Sequence, residues 1–135
     1  RCMEQTTRIV ELVRDGAIGE LRVIQATYSF KGPDDEKGRL LNPDLAGGGI
    51  LDVGCYPVSF ARLLAGAAQG RPFAEPVELK AVGHREKTGV DGYTAAVLRF
   101  EDDLIAQLAT GVRIDQDNAA RLYGSEGSIH VPVPW

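Results

Sequence analysis

The sequence has 135 residues, of which 44% are apolar and 25% are charged, and its formal net charge is −4. This composition is typical of a globular chain of one domain or a little more, and a chain of this size can bury a core without a disulfide framework or a metal. A slightly acidic chain has no broad attraction for phosphate backbones, and no apolar run approaches the roughly 20 residues that cross a bilayer. We therefore expect neither nucleic acid nor a membrane as a partner.

The two cysteines, Cys2 and Cys55, do not form a disulfide framework, and neither has metal-ligand spacing to a second Cys or a His. No secretory signal is visible at the start of the chain. We therefore expect no metal site and a reducing, cytoplasmic setting. The chain opens on Arg1 rather than Met and ends abruptly at Trp135, which favours a fragment of a longer protein.

The first half of the chain alternates between helix and strand. Residues 4–15 place apolar side chains at helical spacing and predict an amphipathic helix, whereas residues 20–30 alternate in polarity and predict a strand. A long loop, 31–49, precedes an apolar helix that we expect from about residue 51 to residue 65, ending at Gly66. The alternation in the strand predicts two opposite faces, formed by Leu21, Val23, Gln25 and Thr27 and by Arg22, Ile24, Ala26 and Tyr28.

The second half of the chain is rich in predicted strands joined by short polar turns. Such connections predict mainly antiparallel pairing, since parallel neighbours need long crossovers. The order of elements predicts an α+β domain with an open, mainly antiparallel sheet and helices on one face. Residues 93–100 are apolar on both faces, so we expect the second face to be partly covered by missing chain or by a partner subunit. The predicted strands are 77–87, 93–100, 104–114, 118–124 and 128–131.

Three consecutive glycines, Gly47, Gly48 and Gly49, lead into the predicted apolar helix. Glycine permits a positive φ and a close approach of another group, and the first N–H groups of a helix favour negative charge. The turn could therefore bind an anion or a ligand oxygen. A crowded turn that simply needs small residues explains the same pattern equally well.

Asp52 and Tyr56 lie four positions apart directly after the glycines, so they share one face of a helix. An Asp in a first turn complements the helix dipole, and a Tyr on an apolar helix is usually a core residue with one hydrogen bond. Together they could also form the acid–base edge of a pocket. The phenol would need a nearby cation to lower its pKa from about 10, and no lysine lies between residues 41 and 79.

Other residues of chemical interest have simpler explanations. His84 and His130 are most readily surface or hydrogen-bonded histidines, because neither has an evident catalytic partner in the sequence. Cys55 lies beside Tyr56 without a His partner, and we interpret it as a small core residue rather than a nucleophile.

Three segments resemble one family of enzymes. They are "DGAIGELRVIQATYSF" at 15–30, "NPDLAGGGILDVGCYPVSFARLLAG" at 42–66, and "YGSEGSIHVPVPW" at 123–135. Together they resemble the Gfo/Idh/MocA oxidoreductases, named for glucose-fructose oxidoreductase and inositol dehydrogenase. The nearest branch by resemblance contains dimeric dihydrodiol dehydrogenase and the sugar 1-dehydrogenases.

The resemblance implies an organisation that this chain only partly contains. Family members have an N-terminal Rossmann domain followed by an α/β domain on an open antiparallel sheet, and this chain resembles the second part. Residues 1–17 would be a linking helix from the missing nucleotide-binding domain, and residues 18–135 would form the substrate-binding and dimerisation domain, truncated at its C-terminus. The family's dinucleotide fingerprint and its Glu-Lys-Pro motif, which supplies a catalytic lysine, are absent from this sequence.

The resemblance also implies roles for particular residues. Tyr56 takes the acid–base position, and Asp52 takes the position of a carboxylate that orients the substrate or the catalytic lysine. Gly47, Gly48 and Gly49 would line the wall near the nicotinamide of NAD or NADP. The implied reaction is hydride transfer between the cofactor and a sugar, polyol or dihydrodiol, in a homodimer or tetramer that associates through the sheet face.

Two alternatives remain open at this stage. A non-catalytic module of the same fold, used for self-association or scaffolding, would have the same sequence pattern. An unrelated small-ligand binding domain fits the composition but leaves the spacing of Asp52 and Tyr56 unexplained.

Overall fold

The computed structural model describes residues 4–135, so the predictions for Cys2 and for the first three residues of the linking segment lie outside the described residues. Two α-helices and six strands form the domain. They are α1 Glu4–Arg14, β1 Leu21–Ser29, α2 Cys55–Ala68, β2 Glu78–Arg85, β3 Asp91–Arg99, β4 Ile105–Gly111, β5 Ala120–Gly124 and β6 Ser128–Val131.

The six strands form one open sheet in the order β2-β3-β4-β1-β5-β6. Strands β1 and β4 pair in parallel, and every other neighbouring pair is antiparallel. The parallel pair is possible because a long connection that contains α2 and the β2–β3 hairpin separates β1 from β4. The predicted open, mainly antiparallel sheet is confirmed.

Both helices pack on the same face of the sheet, as predicted. Helix α1 contributes Ile9 and Val13 to the core, and α2 contributes a row of small and large apolar side chains. Opposite them lie the buried side chains of the central strands, so we call this side of the sheet the covered face. Its strand residues include Ile24, Ala26, Leu98, Ala106, Leu108, Ala120 and Leu122.

Helix α2 differs from its prediction at both ends. It begins after a π-helical turn, Ile50–Gly54, and it continues past Gly66 to Ala68. Gly66 does not end the helix; a Cβ there would lie 2.5 Å from the Cα of Phe73, so glycine admits the returning chain. The segment Pro43–Ala68 is long and apolar enough for a membrane span by length and composition, but half of its most apolar window is buried in the domain. Its packing is that of a core helix.

The predicted faces of β1 are correct except near its start. Ile24 and Ala26 are buried on the covered face, but Leu21 is also buried although strict alternation places it on the opposite side. The register of β1 against β5 shifts between Leu21 and Val23, and a shift of this kind reverses the direction of side chains. Arg22 is consequently exposed instead of sharing the covered face with Ile24.

The other side of the sheet, which we call the open face, has no helix on it within residues 4–135. Paired residues in register place Val82, Ala95, Ala109 and Thr27 in one row across four strands of this face. Every residue of β2 is exposed, and Val82 has 83% of its surface accessible.

Candidate functional site

The three glycines lie buried in a turn that is packed against the chain's own backbone. Gly47 N–H donates to the carbonyl of Asn42 at 3.0 Å, and Gly48 N–H donates to the carbonyl of Leu40 at 2.9 Å. A Cβ at Gly47 would lie 2.8 Å from both of these carbonyl oxygens, and Gly48 has a φ of +111°. These contacts support the crowded-turn interpretation.

The first N–H groups of the helix that follows already have an anion beside them. The amide of Ile50 donates to Oδ2 of Asp91 at 2.9 Å, and that carboxylate also lies against Gly48 and Gly49. A second negative group at this place would be repelled, so the turn does not fit the diphosphate of a dinucleotide. A contact between the glycines and the nicotinamide ring stays a prediction.

Asp52 lies in the π-helical turn and forms an ion pair with Arg39. The Asp52 side chain is only 11% exposed, whereas the Arg39 side chain is 64% exposed. The hydrogen bond and the charge of Asp52 raise the pKa of the Arg39 guanidinium, which therefore stays charged. Arg39 belongs to the long loop before the helical segment, and it fixes the direction of the Asp52 carboxylate.

Tyr56 lies in the first turn of α2 and is half exposed. Its ring meets Tyr28 edge to face at a centroid distance of 5.3 Å, and Trp135 lies 6.5 Å away. Trp135 is stacked on Tyr28, and its Nε1 donates to the carbonyl of Thr27 at 2.9 Å. The phenol is therefore supported from one side by other rings and is not sealed in the core.

Tyr56 borders a groove of about 620 Å³ between α2, the start of α1 and the end of the chain. Asp52 is not among the described residues that line it, so the two predicted catalytic residues share a short helical segment but not this cavity. The groove is mainly apolar, with one cationic side chain in its wall. Its lining consists of Thr6, Cys55, Tyr56, Val58, Ser59, Phe60, Arg62, Leu63, Pro134 and Trp135.

The remaining predictions about single residues have mixed outcomes. Cys55 is a free thiol exposed in the groove on the side of α2 that faces away from the core, so its interpretation as a core residue is wrong. His84 is half exposed and stacks on Tyr93 at 5.0 Å on the open face, in agreement with a surface histidine. Within residues 4–135, no three His, Cys, Asp or Glu side chains are grouped to hold a metal ion.

Sequence reasoning missed several residues that shape the site. Arg39 precedes Asp52 by 13 positions, and no motif or spacing in the sequence pointed to it. Tyr28 was assigned to the face of Ile24 and Ala26, which could have suggested contact with the helix above it. Nothing local pointed to Asp91, because it lies 41 positions from Ile50.

A match to a protein-family model identifies the family to which this chain belongs. Residues 6–130 match the model described as the GFO/IDH/MocA C-terminal domain. The chain belongs to the GFO/IDH/MocA family. The expected family and the expected part of it are thus confirmed.

Curated relatives of this GFO/IDH/MocA domain include dehydrogenases and a reductase. It is 29% identical to mouse trans-1,2-dihydrobenzene-1,2-diol dehydrogenase over 93% of the chain, and 30% identical to D-xylose 1-dehydrogenase (NADP(+)) 2 of Haloferax volcanii over 92%. It is 35% identical to dTDP-3,4-didehydro-2,6-dideoxy-alpha-D-glucose 3-reductase of Streptomyces violaceoruber over 91%. The chain spans between 34% and 36% of the length of these three relatives.

Solved structures with the same fold give a consistent result. The aldose-aldose oxidoreductase of Caulobacter crescentus, solved with glycerol, superposes with a TM-score of 0.81 at 27% identity, over 97% of this chain and 38% of that one. A 3-ketoreductase of Actinomadura kijaniata, solved with NADP and TDP-benzene, has a TM-score of 0.72 at 26% identity, over 93% of this chain and 37% of that one. In both cases the likeness covers one domain of a longer protein.

Proposed function

We propose that this chain is the substrate-binding domain of an NAD(P)-dependent oxidoreductase that acts on a sugar, polyol or dihydrodiol. Relatives at 29% and 30% identity are dehydrogenases of a dihydrodiol and of an aldose, which supports this substrate class. The observation that carries the proposal is the half-exposed phenol of Tyr56 at the rim of a groove, one turn from a fixed carboxylate. Residues 1–17 would then connect this domain to a nucleotide-binding domain.

Tyr56 would exchange a proton with the substrate oxygen. An alcohol that loses hydride must also lose its hydroxyl proton, and a phenol at the groove rim can accept or return that proton. A cation beside the phenol would stabilise the phenolate that forms when the proton leaves, and the described arginines near this segment are engaged, Arg39 with Asp52 and Arg62 with Glu75. The family's catalytic lysine, from outside this chain, would supply that charge.

The cofactor would be bound mainly outside this domain. Hydride donation and acceptance are the chemistry that a nicotinamide supplies when bound. This chain fits the substrate side of such a site, because its groove is apolar and its glycine turn is closed to a diphosphate by Asp91. Tyr56 and the aromatic wall of the groove would orient the substrate and exclude water, and Asp52, which does not line the groove, would orient the catalytic lysine.

The exposed residues of the open face support self-association with a second copy of this chain. Its central row of Val82, Ala95 and Ala109 is apolar, and every residue of β2 is exposed within the described residues. Monomeric proteins rarely expose apolar patches of this kind, and an isologous dimer pairs the same patch on both copies. The exposed free thiol of Cys55 in turn supports a reducing, cytoplasmic setting.

The competing proposal is a non-catalytic association module of the same fold. It predicts that the open face forms an interface and that Tyr56 has no catalytic role. The half exposure of Tyr56 together with the ion-paired Asp52 favours the enzyme. The two proposals differ in what a longer protein containing this chain would do with a nicotinamide cofactor.

The test compares the 135-residue chain with a longer protein in which it follows a nucleotide-binding domain. We expect no micromolar binding of NADPH or NADH to the chain alone, and nicotinamide-linked turnover of at least one aldose, polyol or dihydrodiol by the longer protein. Fluorescence titration measures the first, and absorbance of the reduced cofactor measures the second. Micromolar binding of NADPH or NADH to the chain alone would contradict the proposal that the cofactor is bound mainly outside this domain. A longer protein that binds the cofactor but oxidises none of these substrate classes would favour the non-catalytic association module.

A further inference from the structure

One peptide group in front of α2 is held at both of its polar atoms by side chains from the sheet. Oγ1 of Thr110 donates to the carbonyl oxygen of Gly49 at 3.1 Å, and the N–H of Ile50 donates to Oδ2 of Asp91 at 2.9 Å. The carbonyl of Gly49 and the N–H of Ile50 belong to the same planar unit. Fixing both atoms removes the freedom of this peptide to rotate.

The side chains that hold this peptide are themselves fixed. Oγ1 of Thr94 donates to the same carboxylate oxygen of Asp91 at 3.2 Å, and Thr94 is the cross-strand partner of Thr110. Thr94 is 9% exposed and Thr110 is 7% exposed. Hydrogen bonds to a carboxylate are among the stronger ones, and partial exclusion of water strengthens them further. We call Asp91, Thr94 and Thr110 the peptide clamp.

The helix cannot provide this support from its own sequence. The residue that precedes the π-helical turn Ile50–Gly54 is Gly49, which has no side chain to accept a hydrogen bond from that turn. Asp91 supplies that acceptor from β3 instead. A Cβ at Gly48 would lie 2.5 Å from Oδ1 of Asp91, so the glycines give the carboxylate room to reach the helix.

We propose that Asp91 and Thr110 are positioning residues for the site that contains Asp52 and Tyr56. The inference rests on the proposed oxidoreductase function. Asp52 follows the clamped peptide by two positions, and its N–H donates to the carbonyl of Gly48 at 3.0 Å. Rotation of the clamped peptide therefore displaces the Asp52 carboxylate and the turn that leads to Tyr56, and a displacement of about 1 Å in a catalytic group costs on the order of 10²-fold in rate.

The experiment uses the longer protein and matched pairs of variants. Asp91→Ala removes the acceptor and Thr110→Val removes the donor at nearly constant volume, whereas Asp91→Asn and Thr110→Ser keep a group that can make the same bond. We expect kcat to fall by about 10- to 100-fold in the first pair, with KM changed much less, and to recover most of its value in the second pair. Ser125→Ala removes an acceptor of the N–H of Glu20, at 3.0 Å and in the opposite half of the sheet, and should leave kcat unchanged.

A second readout does not depend on catalysis. Amide hydrogen exchange at Ile50 and Asp52 should be faster in Asp91→Ala and Thr110→Val than in wild type or Ser125→Ala. Unchanged kcat and unchanged exchange in folded Asp91→Ala and Thr110→Val would overturn the inference. It would also be overturned if Asp91→Asn and Thr110→Ser had kcat values no higher than those of Asp91→Ala and Thr110→Val. If Asp91→Ala does not fold, kcat and amide exchange in Thr110→Val and Asp91→Asn provide the test of the inference.

The variant Tyr56→Phe separates this inference from the proposed function. If Tyr56→Phe abolishes turnover while both clamp variants keep full kcat, the clamp inference fails and the proposed function stands. If Tyr56→Phe keeps full turnover, the acid–base role proposed for Tyr56 fails, and faster exchange at Ile50 in Asp91→Ala would still support the clamp. If the longer protein turns over none of the proposed substrate classes, the proposed function fails, and the exchange measurement alone still tests the clamp.

Discussion

The two faces of the sheet are made of different side chains although they belong to the same strands. On the covered face, Ile24, Leu122 and Ala106 are completely buried under α1 and α2. On the open face, Val82 and Val97 are 83% and 48% exposed and lie beside polar partners such as the hydrogen-bonded pair Gln25 and Gln107. The covered face therefore stabilises the fold, and the open face carries an apolar surface that the fold of one chain does not use.

The largest effect on stability should come from the covered face. Leu64 of α2 is completely buried, so Leu64→Ala should lower the free energy of unfolding by about 2–5 kcal/mol. Val58→Ala on the outward side of the same helix, where the side chain is 37% exposed, should change it by about 0.5 kcal/mol or less. Urea titration of both variants measures the difference, and equal losses would show that α2 is not packed as described.

A smaller decrease in the free energy of unfolding should follow from adding a Cβ atom at Gly66. Alanine is the better helix former by about 1 kcal/mol, yet a Cβ at this position would lie 2.5 Å from the Cα of Phe73. We expect Gly66→Ala to destabilise the domain by about 1–3 kcal/mol, because the returning chain must move away from α2. A thermal melt with an unchanged or raised Tm would contradict the close approach.

The smallest effect on the fold, and the clearest effect on assembly, should come from the open face. Val82→Lys should change the unfolding free energy of the monomer by about 0.5 kcal/mol or less, but a buried unpaired lysine should abolish self-association. Val133→Lys, at a position that is 66% exposed in the C-terminal tail, is the matched control. Analytical ultracentrifugation of wild type, Val82→Lys and Val133→Lys measures the association. A wild-type chain that remains monomeric at high concentration would contradict self-association through the open face.

The sequence predicted features that depend on neighbouring residues and missed those that depend on distant ones. Short polar turns led correctly to the hairpins β3–β4 and β5–β6, and helical spacing led to α1. The parallel pairing of β1 with β4 and the register shift near Arg22 depend on strands far along the chain, and the requirement for glycine at position 66 depends on the approach of Phe73. None of these contacts leaves a local pattern.

The candidate site divides in the same way. Asp52 and Tyr56 could be selected because they follow the glycines at a spacing of one turn, and a family motif contains them both. Arg39, which holds Asp52, and Asp91, which holds the turn, come from other parts of the chain and could not be selected by spacing. The buried contacts of the three glycines support the crowded-turn interpretation that the sequence left open, and their contact with the nicotinamide stays a prediction.

The most direct test of the central claim is the turnover number of Tyr56→Phe in the longer protein, measured at saturating substrate and cofactor. Loss of the phenolic hydroxyl should reduce kcat by about 10² to 10⁴-fold while substrate affinity changes little, because proton transfer is affected and the ring remains. Tyr123→Phe, which removes a hydroxyl that donates to Gln25 at 3.3 Å on the open face, should retain full turnover. Equal kcat values for wild type, Tyr56→Phe and Tyr123→Phe would contradict the role assigned to Tyr56 and with it the proposed chemistry of this domain.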